Sequence, residues 1–298
     1  MPRVFFITGT STGFGNHLVQ EVLNRGDIAI ATARKPETLK FNSTNEKASL
    51  LCFFPHWTPL TISQNYLSLK LDVTDQEQVN ASFKAAVDKF GRVDIVVNNA
   101  GYGLAGVFEE LTADQIKTQM DVNFFGLLCV TKKAMEIMRE QKPSGGLIQQ
   151  VTSIGGQRGV PFFSIYCASK WAVEGFTEAV QKEVKPEWGI KFTCVEPGGF
   201  RTDWAGRSMS FPEKRHPAYD HMDAKKAMDQ RHGTQAGDPP KGAKAMYELA
   251  IMKNPPLRVV IGTDAYKAIN EKIQQYGENY KKYEKISNST DVDGYVGK

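Results

Sequence analysis

The chain has 298 residues, with 37 Lys and Arg against 33 Asp and Glu and a formal net charge of +4. At 41% hydrophobic and 23% charged residues, it has the composition of a globular protein long enough to bury a substantial core. Basic residues are interleaved with acidic ones and form no stripe or tail, which argues against a nucleic-acid partner, and no window of about 18 apolar residues is present to form a transmembrane segment. Cys52, Cys129, Cys167 and Cys194 lack metal-ligand spacing, so no metal site is expected. Free thiols and a chain that enters a strand by residue 4, with no room for a targeting segment, predict a cytoplasmic protein.

The apolar run 4–7 predicts a first strand, followed at once by Thr8-Gly9-Thr10-Ser11-Thr12-Gly13-Phe14-Gly15 and a helix with Leu18, Val19, Val22 and Leu23 on one face. Strand, glycine turn and helix together make a dinucleotide site. Gly9 provides the tight turn, Gly13 lets a pyrophosphate approach the backbone, Gly15 lets the helix pack on the sheet, and free amides at the helix start hold the phosphates. The glycine spacing differs from the common Gly-x-Gly-x-x-Gly fingerprint, so a plain strand-helix turn is the competing reading.

A second strand at 28–32 ends in Ala33, Arg34 and Lys35, where NAD sites usually carry an acid for the ribose hydroxyls. Arg34, assisted by Lys35, can pair with a 2′-phosphate, which favours NADP(H) over NAD. The stretch 48–66 is an apolar, proline-punctuated link without helical period, atypically long for its place. Alternation returns at 67–73 as a third strand, with Asp72 placed to accept from an adenine amino group and Val73 to cover the ring. Thr74 is the expected cap of the next helix, which runs to Phe90, and a fourth strand at 93–97 leads into Asn98, Asn99, Ala100 and Gly101 along the cofactor's edge.

One long helix is predicted over 112–140, with Asn123 in its interior as either a satisfied packing amide or a backbone irregularity. A fifth strand at 146–152 ends at Ser153, and a helix over 166–186 places Tyr166 and Lys170 four residues apart on one face, a phenol beside an ammonium. A neighbouring cation favours phenolate, so the pair reads as a proton-transfer group, although a solvated edge pair has the same pattern. Cys167 reads as a core thiol, since no histidine is near it in sequence. A sixth strand at 190–195 ends in Pro197, Gly198, Gly199, Phe200 and Thr202. Region 203–238 follows a strand's carboxyl end and is expected to form a substrate-side lid, carrying Trp204, Met209, Phe211, Tyr219 and Met222. His216, His221 and His232 in that region have no metal spacing. A helix to Lys253, a seventh strand at 257–261 and an amphipathic helix over 264–283 complete the chain.

Taken together, these residues resemble the short-chain dehydrogenase/reductase family over nearly all of the chain. The matches are Thr8-Gly9-x-x-x-Gly13-x-Gly15, Asp72, Asn98-Asn99-Ala100-Gly101, Asn123, Ser153, Tyr166-x-x-x-Lys170 and Pro197-Gly198. The resemblance implies an α/β Rossmann fold: a single domain over 1–298, with a doubly wound parallel sheet of about seven strands flanked by helices. It also implies a nicotinamide cofactor, Tyr166 as general acid and base, Ser153 as the group orienting the substrate oxygen, and Lys170 holding the nicotinamide ribose while lowering the Tyr166 pKa. Asn123 would position a water leading to Lys170, and Pro197, Gly198, Phe200 and Thr202 would lie about the nicotinamide. Phe14, where the family usually has isoleucine, resembles the branch of retinol- and hydroxysteroid-dehydrogenase-like reductases. Many relatives are homodimers or homotetramers through the Asn123 and Tyr166 helices, and the same is expected here.

The leading expectation is an NADP(H)-dependent carbonyl reductase or secondary alcohol dehydrogenase, passing hydride between nicotinamide C4 and a fairly hydrophobic ketone, aldehyde or alcohol. Leu104, Phe108 and Phe163, with the apolar residues of the lid, point to that small-molecule carbonyl or alcohol substrate, and no charged anchor is evident. Two alternatives stay open: an NADP(H)-binding sensor or scaffold without turnover, and an epimerase or dehydratase that keeps its cofactor bound.

Overall fold

Short runs of β-branched and aliphatic residues, buried on both faces, make a parallel sheet whose flanks must be covered by helices. The computed structural model describes residues 1–41 and 62–295 in these terms; most of the atypical link expected over 48–66 lies outside the described residues. The strands are β1 (Val4–Thr8), β2 (Ile28–Ala33), β3 (Ile62–Ser63), β4 (Tyr66–Lys70), β5 (Ile95–Asn98), β6 (Gly103–Leu104), β7 (Gly146–Val151), β8 (Ile190–Pro197), β9 (Met209–Ser210) and β10 (Arg258–Ile261). Among the described residues the main sheet runs in the order β10-β8-β7-β5-β1-β2-β4-β3, parallel throughout except for the two-residue edge strand β3. It is the doubly wound sheet expected. β1 pairs with both β2 and β5, so the strand order reverses there, and the crevice at the carboxyl ends of β1 and β5 is the place for a ligand.

The helices are α1 (Gly13–Asn24), α2 (Gln76–Phe90), α3 (Ala113–Met120), α4 (Gly126–Glu140), α5 (Ser164–Glu183), α6 (Ala224–Arg231), α7 (Pro239–Ala250), α8 (Thr263–Lys282) and α9 (Glu284–Ser287). Period-two alternation in β1 sends Phe5 and Ile7 to one face, where they meet Leu18, Val19 and Val22 of α1 and Met246 of α7. Val4 and Phe6 go to the other face, against Val79 and Phe83 of α2 and Val130 and Met138 of α4. Phe6 and Phe83 stack with centroids 4.1 Å apart.

Two local expectations are corrected. Asp75, not Thr74, caps α2, accepting from the amides of Glu77 and Gln78, while Thr74 donates back to Asp72. The helix expected over 112–140 is broken into α3, a π-helical segment at Asp121–Phe125, and α4. The extra residue per turn brings Asn123 inward to 1% exposure, and a side chain on Gly126 would stand 2.6 Å from Cγ2 of Val73. The backbone irregularity held open for Asn123 is this π-helical segment, although periodicity did not show where the helix slips.

The end of the sheet opposite the crevice is tied by a buried charge. Asp27 accepts from the amide of Arg3 at 2.8 Å and from the Tyr247 hydroxyl at 2.7 Å, fastening α7 to the start of β2. Replacing Tyr247 with Phe strips a hydrogen bond from a buried carboxylate, so stability should fall by about 1.5–3 kcal/mol, read as a lower midpoint in chemical denaturation with native circular dichroism retained.

Candidate functional site

The turn after β1 is shaped by backbone crowding. Gly9 has φ +68° and a β-carbon there would stand 2.7 Å from Cα of Ala100, while one on Gly15 would stand 2.4 Å from the Gly9 carbonyl oxygen. Side chains strap this turn to the end of β5: Asn99 Nδ2 donates to the carbonyls of Thr8 and Gly9, both at 2.9 Å. The Thr8 hydroxyl accepts from the amides of Asn99 and Ala100, both at 3.0 Å. Gly13, at φ +58°, lies under Thr202, whose Cβ would be 3.6 Å from a side chain placed there. Thr12 stands at the N-cap of α1 without a side-chain cap bond, and Ser11 is exposed beside it, so first-turn amides are open to an anion.

Phe14 and Phe200, both expected beside the cofactor, pack on each other. Their rings meet edge to face at 4.8 Å and close on Gly242 of α7, where a β-carbon would be 2.4 Å from Phe14. Both rings are half-buried and pack against the core. The Gly198–Gly199 turn is held from α8, because Asp264 accepts from the Gly199 amide at 2.7 Å. Asp264 was not among the expected residues, and nothing in a separation of 65 positions announces the pairing.

Arg34 and Lys35 are exposed just past the end of β2, and Arg34 makes no ion pair among the described residues. Asp72 is half-buried, with Oδ1 occupied by the Thr74 amide at 3.0 Å and hydroxyl at 2.7 Å. Val73, beside it, is buried against Gly126.

Ser153, Tyr166, Lys170 and Asn123 come together around two glycines. A β-carbon on Gly155 would lie 3.3 Å from Cε1 of Tyr166, 3.3 Å from the Cys167 sulfur and 3.5 Å from the Ser153 hydroxyl. One on Gly101 would lie 3.1 Å from Oδ1 of Asn123 and 3.8 Å from Nζ of Lys170. The Asn123 amide accepts from the Tyr102 amide at 3.1 Å and donates to its carbonyl at 2.9 Å and to the Ser169 hydroxyl at 3.4 Å. Lys170 is only 6% exposed; its ammonium donates to the Val151 carbonyl at 2.9 Å and stands 5.8 Å from the Tyr166 ring centroid.

Trp204 covers the phenol. It stacks on Phe163 at 5.5 Å and tilts against Tyr166 at 5.2 Å, leaving Tyr166 8% exposed. Region 203–238 packs on this aromatic group through Trp204, Met209, Phe211, Ala224 and Met228. β9 pairs with β6, drawing the region over the carboxyl end of the sheet. Phe162, next to Phe163, holds φ +71°, an uncommon conformation for a bulky side chain, and its carbonyl accepts from Gly106. Of the other apolar residues expected to face a substrate, Leu104 is buried and Phe108 is 58% exposed. Among the described residues no group of His, Cys, Asp and Glu could hold a metal, and no helix is long and apolar enough to cross a membrane.

Burial dominates the electrostatics. It pushes the Tyr166 phenol up to about 12, with the Ser153 hydroxyl working the other way, so the lowering expected from Lys170 does not prevail. Burial also pulls Lys170 down to about 8, opposed by the Glu174 carboxylate. Since the folded value lies below the ordinary 10.5, the Lys170 cation costs stability below about pH 8, and that cost fades as the pH rises toward 10.5. At neutral pH the site holds a neutral phenol beside an ammonium.

Residues 3–212 match the family model described as short chain dehydrogenase. A short-chain dehydrogenase from Streptomyces avermitilis superposes with a TM-score of 0.81 at 31% identity, covering 97% of this chain and 98% of that one. ElxO, solved with NADP bound, superposes with a TM-score of 0.66 at 27% identity over 88% of this chain and 97% of its own. The 3-ketodihydrosphingosine reductase of Bacteroides thetaiotaomicron is 31% identical over 88% of this chain and 88% of its own length.

Replacing Asn99 with Ala would leave the Thr8 and Gly9 carbonyls without their amide. The expected cost is about 1–3 kcal/mol, seen in thermal unfolding, together with weaker binding of dinucleotide by titration calorimetry.

Proposed function

As the chain belongs to the short-chain dehydrogenase family, we propose that it is an NADP(H)-dependent carbonyl reductase or secondary alcohol dehydrogenase for a fairly hydrophobic ketone, aldehyde or alcohol. The observation that carries this reading is the convergence of Ser153, Tyr166, Lys170 and Asn123 on Gly155 and Gly101, at the crevice where strand order reverses. The cradle fits a dinucleotide: Gly9 and Gly15 have no room for side chains, the first turn of α1 is uncapped, and Arg34 is exposed past β2. NADP bound to a 27% identical relative supports the same cofactor.

When bound, NADPH supplies the hydride that reaches the carbonyl carbon. Tyr166 gives its proton to the carbonyl oxygen, so the ketone or aldehyde becomes an alcohol; in the reverse direction it takes that proton back. Ser153 donates to the same oxygen and orients it. Lys170 places positive charge beside the phenol and favours the phenolate left after transfer. Asn123 holds the 101–102 turn against Lys170 through both of its amide groups. Trp204, Phe163 and Met209 exclude water and favour an apolar substrate, as does the name of the Bacteroides relative, a reductase of 3-ketodihydrosphingosine. A buried proton donor at this position has no use in a sensor or scaffold.

Phe14, where the family usually has isoleucine, supports the retinol- and hydroxysteroid-dehydrogenase-like branch. The exposed Phe125, at the end of the π-helical segment leading into α4, and Trp171, within α5, support a homodimer or homotetramer through those helices. Free thiols at Cys129, Cys167 and Cys194 support a cytoplasmic setting.

Tyr166→Phe should abolish most turnover of a ketone panel, followed by loss of NADPH absorbance, and leave NADPH affinity largely intact; full turnover in that variant would refute the role. Arg34→Ala should weaken NADP binding far more than NAD binding, and equal losses for the two would remove the 2′-phosphate contact.

A further inference from the structure

Two carboxylates are buried together next to this site. Glu174, one turn beyond Lys170 on α5, is 4% exposed, and Glu196 of β8 is 0% exposed. They share one guanidinium from β10. Nε of Arg258 donates to Oε2 of Glu174 at 2.9 Å and stands 4.0 Å from Oε1 of Glu196, while Nη2 is committed to the more exposed Glu178 at 2.7 Å. Gln157 donates to Oε2 of Glu196 at 2.5 Å. Oε1 of Glu174 and Oε1 of Glu196 have no hydrogen-bond partner among the described residues.

Such an arrangement is unfavourable with both carboxylates ionised. Two anions out of water compete for one cation, and each keeps an oxygen unsatisfied. A proton on one of them cancels the repulsion and supplies a donor. The other groups facing the pair do not serve instead. Lys170 is bonded to Val151, Lys272 of α8 is bonded to the Gln157 carbonyl, and the Cys194 thiol, kept neutral by burial, hydrogen-bonds Glu174 without bringing a compensating charge. Tyr166 and Cys167 are neutral phenol and thiol on the same helix, and Arg231 of α6 acts on Tyr166 rather than on the pair.

We propose that Glu174 and Glu196 hold a single proton between them at neutral pH, and that the negative charge remaining on the pair determines how much of Lys170 is ammonium. This rests on the reading of Lys170 and Tyr166 given above. Both glutamates are then positioning residues, acting on Tyr166 through Lys170. Burial, with repulsion from Glu174 added, pushes the Glu196 carboxyl up to about 7, and Glu174 opposes the desolvation that lowers Lys170. Because the folded value of Glu196 lies above its unfolded one, the shared proton favours the fold below about pH 4.5 in full and its contribution is lost as pH rises to about 7.

The pair can be tested without turnover. In infrared difference spectra of the intact protein free of cofactor, the wild type at pH 6 should show the carbonyl stretch of a buried protonated carboxyl, bleaching above about pH 7. The band should be lost in Glu196→Gln; no band in the wild type, or a band that survives this substitution, overturns the shared proton. The link to Lys170 is tested by pH profiles of carbonyl reduction with NADPH. Glu174→Gln should move the alkaline limb of kcat downward by about one unit, with Glu174→Asp restoring it, and a limb that stays in place overturns the link. Should Tyr166→Phe remain active while the infrared band behaves as stated, the functional reading fails and the proton-holding pair stands.

Discussion

An ammonium held inside the protein is the constraint on which the site depends. Lys170 has surrendered most of its hydration, and a single hydrogen bond to the Val151 carbonyl does not replace it, which is why its pKa falls to about 8. The surrounding structure keeps this group in place. The last carbonyl of β7 receives it, α5 carries it, and Asn123 holds the 101–102 turn from the other side. The π-helical slip between α3 and α4 is what puts Asn123 there. A regular helix would rotate the amide away from Tyr102, gaining a regular helix ladder at the cost of an unfilled turn.

Charge neutrality around that ammonium is supplied at a distance. Glu174 lies on the same helix but bonds to Arg258, so Lys170 receives its field without a contact ion pair. A direct pair would fix the ammonium firmly as a cation and take it away from the phenol. The indirect arrangement leaves Lys170 near the point where it can lose a proton, beside a phenol that burial keeps protonated.

On the cofactor side the design is steric. Gly9 and Gly15 are demanded by backbone contacts under 3 Å, and the Thr8 and Asn99 side chains convert the gap between β1 and β5 into a fixed edge. On the substrate side it is aromatic. Trp204 seals the phenol from solvent by stacking on Phe163, so access to Tyr166 and the apolar character of the pocket are set by the same side chain.

The sequence by itself determined the positions of the seven long strands along the chain, the glycine turn and the spacing of Tyr166 and Lys170, while the parallel sheet came from the family resemblance and its strand order from the tertiary structure. The first three are encoded locally, in period-two or helical alternation and in residues that permit a tight turn. It placed Arg34 at the end of β2 by counting from a strand. Only the tertiary structure decided that the Phe14 and Phe200 rings pack on α7, that Asp75 caps α2, and that the Asn123 helix slips by a residue. It alone joined Asp264 to Gly199, and Glu174 and Glu196 to Arg258, across tens of positions. The reversal of the Tyr166 shift has the same origin. Sequence shows which charge is near in the chain, whereas desolvation depends on how completely residues distant in sequence exclude water.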